Sequence, residues 1–145
     1  MQITPLSLLE ISAIRDALKK AWQDSDPGIT GGHEEGGFIV QGTNGELFVM
    51  RWPKGGQDTI SLSPYKNGKV GDRSIIATFH THPNTGSDYL QEPGETDKCA
   101  VRDDDELKNE ECIGEFVISR DMIYHISPTG LVSEIESTKK LLAIG

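Results

Sequence analysis

The sequence predicts a single α/β domain over residues 1–145, in which a mixed sheet is flanked by helices. Three observations indicate this class. An amphipathic helical segment comes first, short apolar segments between turn signals follow, and a second helical segment interrupts the strands. A chain of this length can bury about 70% of its unfolded surface, so it can form a core without disulfide bonds. With no internal repeat and no linker, the pattern predicts one mixed α/β sandwich.

The first predicted helix covers residues 5–23 and is predicted to stop at Asp26-Pro27-Gly28. Charged residues occupy the face opposite its apolar stripe, which is typical of a helix that packs on a core. We expect no chemistry from it. The apolar stripe consists of Leu9, Ile11, Ile14, Leu18 and Trp22.

Short strands make up most of the remaining chain. Residues 37–52 predict a β-hairpin, because Asn44-Gly45 is a strong turn signal between two apolar segments, residues 38–40 and 46–52. The other predicted strands are residues 58–63, 74–79, 114–119, 122–126 and 131–135, and the other predicted helices are residues 98–107 and a last one ending at Leu142.

Two histidines end the most apolar strand, in the run His80-Thr81-His82-Pro83. In a strand, residues two apart point to the same side, so Thr78, His80 and His82 are expected on one side. The two imidazoles then converge on one point. Predicted for the opposite side are Ile75, Ala77 and Phe79.

A carboxylate downstream is the predicted third ligand. Asp97 comes 15 positions after His82, in a segment whose Pro and Gly residues allow the chain to double back. Two imidazole nitrogens and one carboxylate form a catalytic Zn2+ set, since three protein ligands leave the fourth tetrahedral position for water. Asp88 is the competing carboxylate. His125 is interpreted as a hydrogen-bonded sheet histidine rather than a fourth ligand.

Such a site also needs a base that does not itself bind the metal. Glu34 and Glu35 lie directly before Gly36-Gly37, at the start of the first predicted strand. Paired glycines there allow a close backbone approach. We predict Glu34 as the general base, with Glu35 as the adjacent alternative.

These residues resemble the JAMM (MPN-type) zinc metallopeptidases. Glu34 three residues before Gly37 falls on that family's base position, and His80, His82 and Asp97 fall on its ligand positions. The motif covers residues 34–97, and the order of elements extends the likeness over the chain. The resemblance implies a JAMM/MPN-like (cytidine-deaminase-like) sandwich that binds Zn2+.

Two features depart from the family pattern. The spacing from His82 to Asp97 is longer by about four residues than is usual there, and the family's serine three residues before the aspartate is Gly94 here. That serine helps to hold the oxyanion, and losing one such donor costs ~10²-fold or more in rate. Ser87 or Thr96 could replace it.

The resemblance implies hydrolysis of an amide or isopeptide bond, at the tail of a ubiquitin-like protein or its conjugate. A stand-alone domain of this kind is similar to bacterial or archaeal members, including those of antiphage defence and toxin systems. Two alternatives stay open. One is a catalytically silent MPN-like protein-interaction domain, favoured by Gly94, and the other is a metal-dependent hydrolase of another bond type, or a toxin. The oligomeric state is left open.

Composition excludes other classes. The net charge is -9, from 23 acidic and 14 basic residues, which argues against a nucleic-acid substrate. No apolar run approaches the ~20 residues that span a bilayer, so no membrane association is expected. The two cysteines, Cys99 and Cys112, are too few for a disulfide framework, and we predict a cytoplasmic location.

Overall fold

A mixed β-sheet is the centre of the fold. The computed structural model describes residues 4–28, 31–56, 68–84, 86, 93 and 112–143, and the strands in this part of the chain form one seven-stranded sheet. The prediction of a mixed α/β class is confirmed. The strands are β1 (Gly36–Gln41), β2 (Leu47–Arg51), β3 (Lys69–Val70), β4 (Arg73–Thr81), β5 (Glu115–Ile118), β6 (Met122–Ile126) and β7 (Val132–Ser137).

The strand order is β2-β1-β4-β5-β6-β7, and β3 also pairs with β4. Among the strand pairs of the described residues, only β4–β5 is parallel, with Thr81 opposite Ile118. The carboxyl ends of β4 and β5 therefore lie side by side. The other pairs are antiparallel, and the predicted hairpin is present, with Gly37 of β1 opposite Arg51 of β2.

Helices pack on one face of this sheet. Those in the described residues are α1 (Pro5–Leu9), α2 (Ser12–Asp24) and α3 (Thr138–Leu142). The prediction of one continuous helix over residues 5–23 is wrong, because Ile11 takes an extended conformation at φ -66° and ψ 122°. No Gly or Pro marks this break. Leu8 and Leu9 are both fully buried, and α1 contacts β7 as well as α2, so tertiary packing decides where the helix turns.

The main core lies between these helices and the sheet. It joins the buried faces of α1 and α2 to side chains from β1, β4, β5 and β6. A second cluster lies on the opposite face, around Trp52. Members of the main core include Leu8, Leu9, Ile14, Leu18, Trp22, Ile39, Ala77, Phe79, Phe116 and Ile118, and the second cluster contains Phe38, Val40, Trp52 and Ile75.

A β-bulge in β4 corrects one predicted side chain. Ala77 and Phe79 lie in the main core as predicted, but Ile75 lies in the second cluster. Ile39 is opposite Ala77 and Val40 is opposite Ile75, so β4 carries one extra residue between these two pairs. The extra residue reverses the alternation upstream of Ala77. The alternation downstream, which leads to His80, is unaffected.

The other elements match the predicted ones within a few residues, and β3 was not predicted. The predicted strand over residues 58–63 and the predicted helix over residues 98–107 lie outside the described residues. Of the helices in the described residues, none is both long and apolar enough to cross a membrane.

Candidate metal centre

Two imidazole rings meet at the carboxyl end of β4. The Nε2 atoms of His80 and His82 are 3.1 Å apart, and the ring centroids are 5.0 Å apart. The amide of His82 donates to the carbonyl of Ile118 at 2.8 Å, so the pairing of β4 with β5 continues as far as His82. His80 is 5% exposed and His82 is half-buried. The strand alternation therefore brings the two rings to one point beside β5.

The other nitrogen of His80 contacts a buried carboxylate. Nδ1 of His80 lies 2.6 Å from Oε1 of Glu115, the first residue of β5. Since a carboxylate accepts, a neutral His80 carries its proton on Nδ1 and leaves Nε2 as an acceptor. His82 can then donate its Nε2 proton to His80, which accounts for the 3.1 Å contact between the rings.

The separation of the two Nε2 atoms also fits a shared metal ion. Two nitrogens bound to one tetrahedral zinc at ~2.0–2.1 Å lie about 3.3 Å apart. The observed 3.1 Å is close to this value. No group of three potential ligands occurs within the described ranges. Asp97 and the competing Asp88 both lie outside the described residues, as do Ser87, Gly94 and Thr96.

Glu34 lies on the same side of the sheet as the two histidines. The amide of Glu34 donates to the carbonyl of Gly56 at 2.6 Å. The carbonyl of the following residue, Glu35, accepts from the amide of Thr81 at 2.9 Å. Consecutive residues that bond to opposite neighbours form an extended chain, so the side chains of Glu34 and Glu35 point to opposite faces. Because Gly36 is directly opposite His80, the alternation places Glu34 on the histidine face. Glu34 is 5% exposed.

Glu35 instead belongs to an ion-pair network on the helix side. Its Oε1 accepts from Arg51 and its Oε2 is 2.6 Å from Nε2 of His33. Arg51 also donates to Asp24 of α2 at 3.2 Å. A hydrogen bond from Lys20 holds the pKa of Asp24 below its usual value, and the Arg51 hydrogen bond adds to this. Both carboxylate oxygens of Glu35 are therefore engaged away from His80 and His82.

The glycine pair allows the start of β1 to lie close to both of its neighbours, β4 and β2. A Cβ atom on Gly36 would lie 2.5 Å from the carbonyl oxygen of Phe79 and 2.7 Å from Cε3 of Trp52. On Gly37, it would lie 2.5 Å from the carbonyl oxygen of Met50. No side chain fits at either position without displacing a neighbour. The predicted close approach is thus an approach to β4, the histidine strand, at Gly36 and to β2 at Gly37.

Asn84 ties the histidine segment to the glutamate segment. Its Oδ1 accepts from the amide of Gly32 at 2.7 Å and its Nδ2 donates to the carbonyl of Gly32 at 3.1 Å. The amide of Gly28 donates to the carbonyl of Pro83 at 3.1 Å. Asn84 lies two residues after His82, and Gly32 lies two residues before Glu34. These bonds therefore define the separation of the two segments.

His125 lies away from the candidate centre. It is opposite Phe116, a main-core residue, and its Nε2 donates to the carbonyl of Ile113 at 2.6 Å. Burial lowers the pKa of His125. The interpretation of His125 as a hydrogen-bonded sheet histidine agrees with this geometry. Burial likewise raises the pKa of the Cys112 thiol, which disfavours a thiolate at neutral pH.

Two residues of the site were missed by sequence reasoning. Glu115 carried a weak signal, as the charged residue at the start of an apolar strand, directly after a glycine. Asn84 carried no such signal in the sequence, since Pro-Asn is typical of an ordinary turn. A comparison of the chain with protein-family models, curated proteins and solved structures found no match.

Proposed function

We propose that this protein is a zinc-dependent peptidase or isopeptidase of the JAMM type that hydrolyses an amide bond. The observation that carries the proposal is the convergence of His80 and His82, whose Nε2 atoms lie 3.1 Å apart at a strand end. His80, His82 and Asp97 would hold the metal. When bound, a zinc ion would polarise the scissile carbonyl and lower the pKa of the attacking water.

Glu34 is the proposed general base. It lies on the face of the two histidines, and its burial keeps most bulk water away from its carboxylate. In the proposed reaction Glu34 takes a proton from the attacking water and later gives it to the leaving amine. Such general acid/base catalysis contributes roughly 10²-fold or more. Glu35 is the weaker candidate because Arg51 and His33 engage its two oxygens.

The proposed substrate is a ubiquitin-like protein or its conjugate. Support for a protein substrate is indirect: the net charge of -9 is unsuited to nucleic acid, and a thin extended tail can pair with the edge of a sheet. We further propose a JAMM/MPN-like sandwich and a cytoplasmic location. The mixed seven-stranded sheet is compatible with that fold, and the cysteine usage is compatible with that compartment.

Metal content is the first test. Elemental mass spectrometry of the purified wild type is expected to give about one zinc per chain, lost in His82→Ala and in Asp97→Ala. His125→Ala is the control, because it removes a buried histidine from the opposite face and should keep the metal. A wild type that takes up no zinc, even when it is supplied, would refute the proposal.

Activity is the second test, with isopeptide-linked and linear ubiquitin dimers as probes. Glu34→Gln should keep zinc and lose hydrolysis, whereas Glu35→Gln should keep both in the folded fraction. Activity that survives Glu34→Gln but not Glu35→Gln would shift the base by one position. Zinc binding without hydrolysis of any ubiquitin-like conjugate would favour the silent interaction domain, in line with Gly94.

A further inference from the structure

The carboxylate of Glu115 occupies a defined position behind the first histidine. β4 and β5 are parallel, with Thr78 opposite Glu115 and His80 opposite Val117, so Glu115 and His80 lie on one face as diagonal neighbours. Their side chains are 9% and 6% exposed, respectively, and Oε1 lies 2.6 Å from Nδ1. This is a buried, direct contact between a carboxylate and an imidazole.

The backbone before β5 sets this position. Gly114 has φ +113°, and a Cβ atom there would lie 2.0 Å from the carbonyl oxygen of Ile126. The carbonyl of Gly114 accepts from the amide of Thr78 at 3.0 Å. Only glycine fits this conformation and this space, so the chain enters β5 at a fixed register against β4.

We propose that Glu115 is a positioning residue for the metal centre, which holds His80 in the tautomer and orientation that direct Nε2 toward the ion. This inference rests on the proposed function. A ring nitrogen binds a metal only when it is unprotonated, and an Nδ1–H donated to Glu115 leaves Nε2 in that state. The contact also prevents rotation of the His80 ring. Glu115 itself touches neither the metal nor the substrate in this arrangement.

Zinc affinity tests the role directly. In a chelator competition, Glu115→Ala should bind zinc about 10–100-fold more weakly than the wild type, the loss usual for such outer partners. Glu115→Gln should recover part of this loss, because its amide oxygen still accepts from Nδ1. Glu134→Ala is the control, since Glu134 is an exposed acid on β7 that changes the net charge by the same amount.

Cobalt(II) substitution supplies a second readout that a purely structural role would not change. The visible absorption of the cobalt form should shift in Glu115→Ala and return toward the wild-type spectrum in Glu115→Gln. Far-UV circular dichroism restricts both measurements to folded protein. If Glu115→Ala folds and binds zinc as tightly as the wild type, the positioning role is refuted. If the wild type binds no zinc, the proposed function fails and this role fails with it.

Discussion

Gly36→Ala should destabilise the protein, because a Cβ atom at Gly36, which lies opposite His80 in the β1–β4 pair, would overlap neighbouring atoms. The added methyl group would lie 2.5 Å from a backbone carbonyl and 2.7 Å from the Trp52 ring, which is itself buried. Real contacts of a Cβ atom are longer than 3.0 Å, so one of these groups must move. Neither is the free end of a flexible side chain.

The magnitude follows from two opposing terms. Replacing glycine by alanine restricts the unfolded chain, which stabilises the protein by about 0.4–1 kcal/mol at an unstrained position. Overpacking a closely packed site costs about 1–3 kcal/mol, and occasionally more. With two contacts this short, we expect the overpacking to dominate and the free energy of unfolding to fall by about 1–2 kcal/mol. That corresponds to a decrease in Tm of roughly 3–6 °C.

Gly31→Ala is the matched control. A Cβ atom on Gly31 meets no atom within 4 Å, so only the effect on the unfolded chain remains, and stability should stay equal or rise slightly. Urea unfolding followed by circular dichroism measures both variants. A Gly36→Ala variant as stable as Gly31→Ala would show that β1 does not approach β4 as closely as described.

Three further predictions concern hydrogen bonds and charge. Asn84→Ala should lower the free energy of unfolding by about 1–3 kcal/mol, since it removes the hydrogen-bond partner of both backbone groups of Gly32. An unchanged midpoint of urea unfolding would contradict the role of Asn84 in joining the two segments. Burial lowers the pKa of His125 below its usual 6.5, so just below that pH the unfolded chain binds more protons than the folded chain does. Stability should therefore decline as the pH falls from 7.5 to 5, and this part of the decline should vanish in His125→Asn. Arg51→Ala should lower the free energy of unfolding by about 1–3 kcal/mol. A double-mutant cycle with Glu35→Gln should show positive coupling between the two residues, whereas additive losses of stability would argue against their ion pair.

Local patterns predicted the elements near the site well. The Asn-Gly turn and its apolar flanks predicted the β1–β2 hairpin, because turn chemistry and alternation depend on residues within about ten positions of one another. The same alternation predicted that His80 and His82 share a side. It failed at Ile75, where a bulge adds one residue to β4, and no residue type there announces a bulge.

The prediction of one continuous helix over residues 5–23, which missed the break after α1, failed for a related reason. Helical spacing of apolar residues continues through Ile11, and the segment has no Gly or Pro. Leu8 and Leu9 are both fully buried, and α1 contacts β7 as well as α2, so the packing that accompanies the break is tertiary. Periodicity detects an apolar stripe, but it does not detect a change in the direction of the helix.

By itself, the sequence determined the α/β class, the hairpin, the pair of histidines on one side of a strand and the glutamates before a glycine pair. These features depend on interactions among near neighbours in the chain. Only the tertiary structure decided that Glu35 pairs with Arg51 while Glu34 takes the histidine face, and that Glu115 lies behind His80. Such contacts join residues 16 and 35 positions apart, and their formation depends on the register of whole strands, which local spacing does not encode.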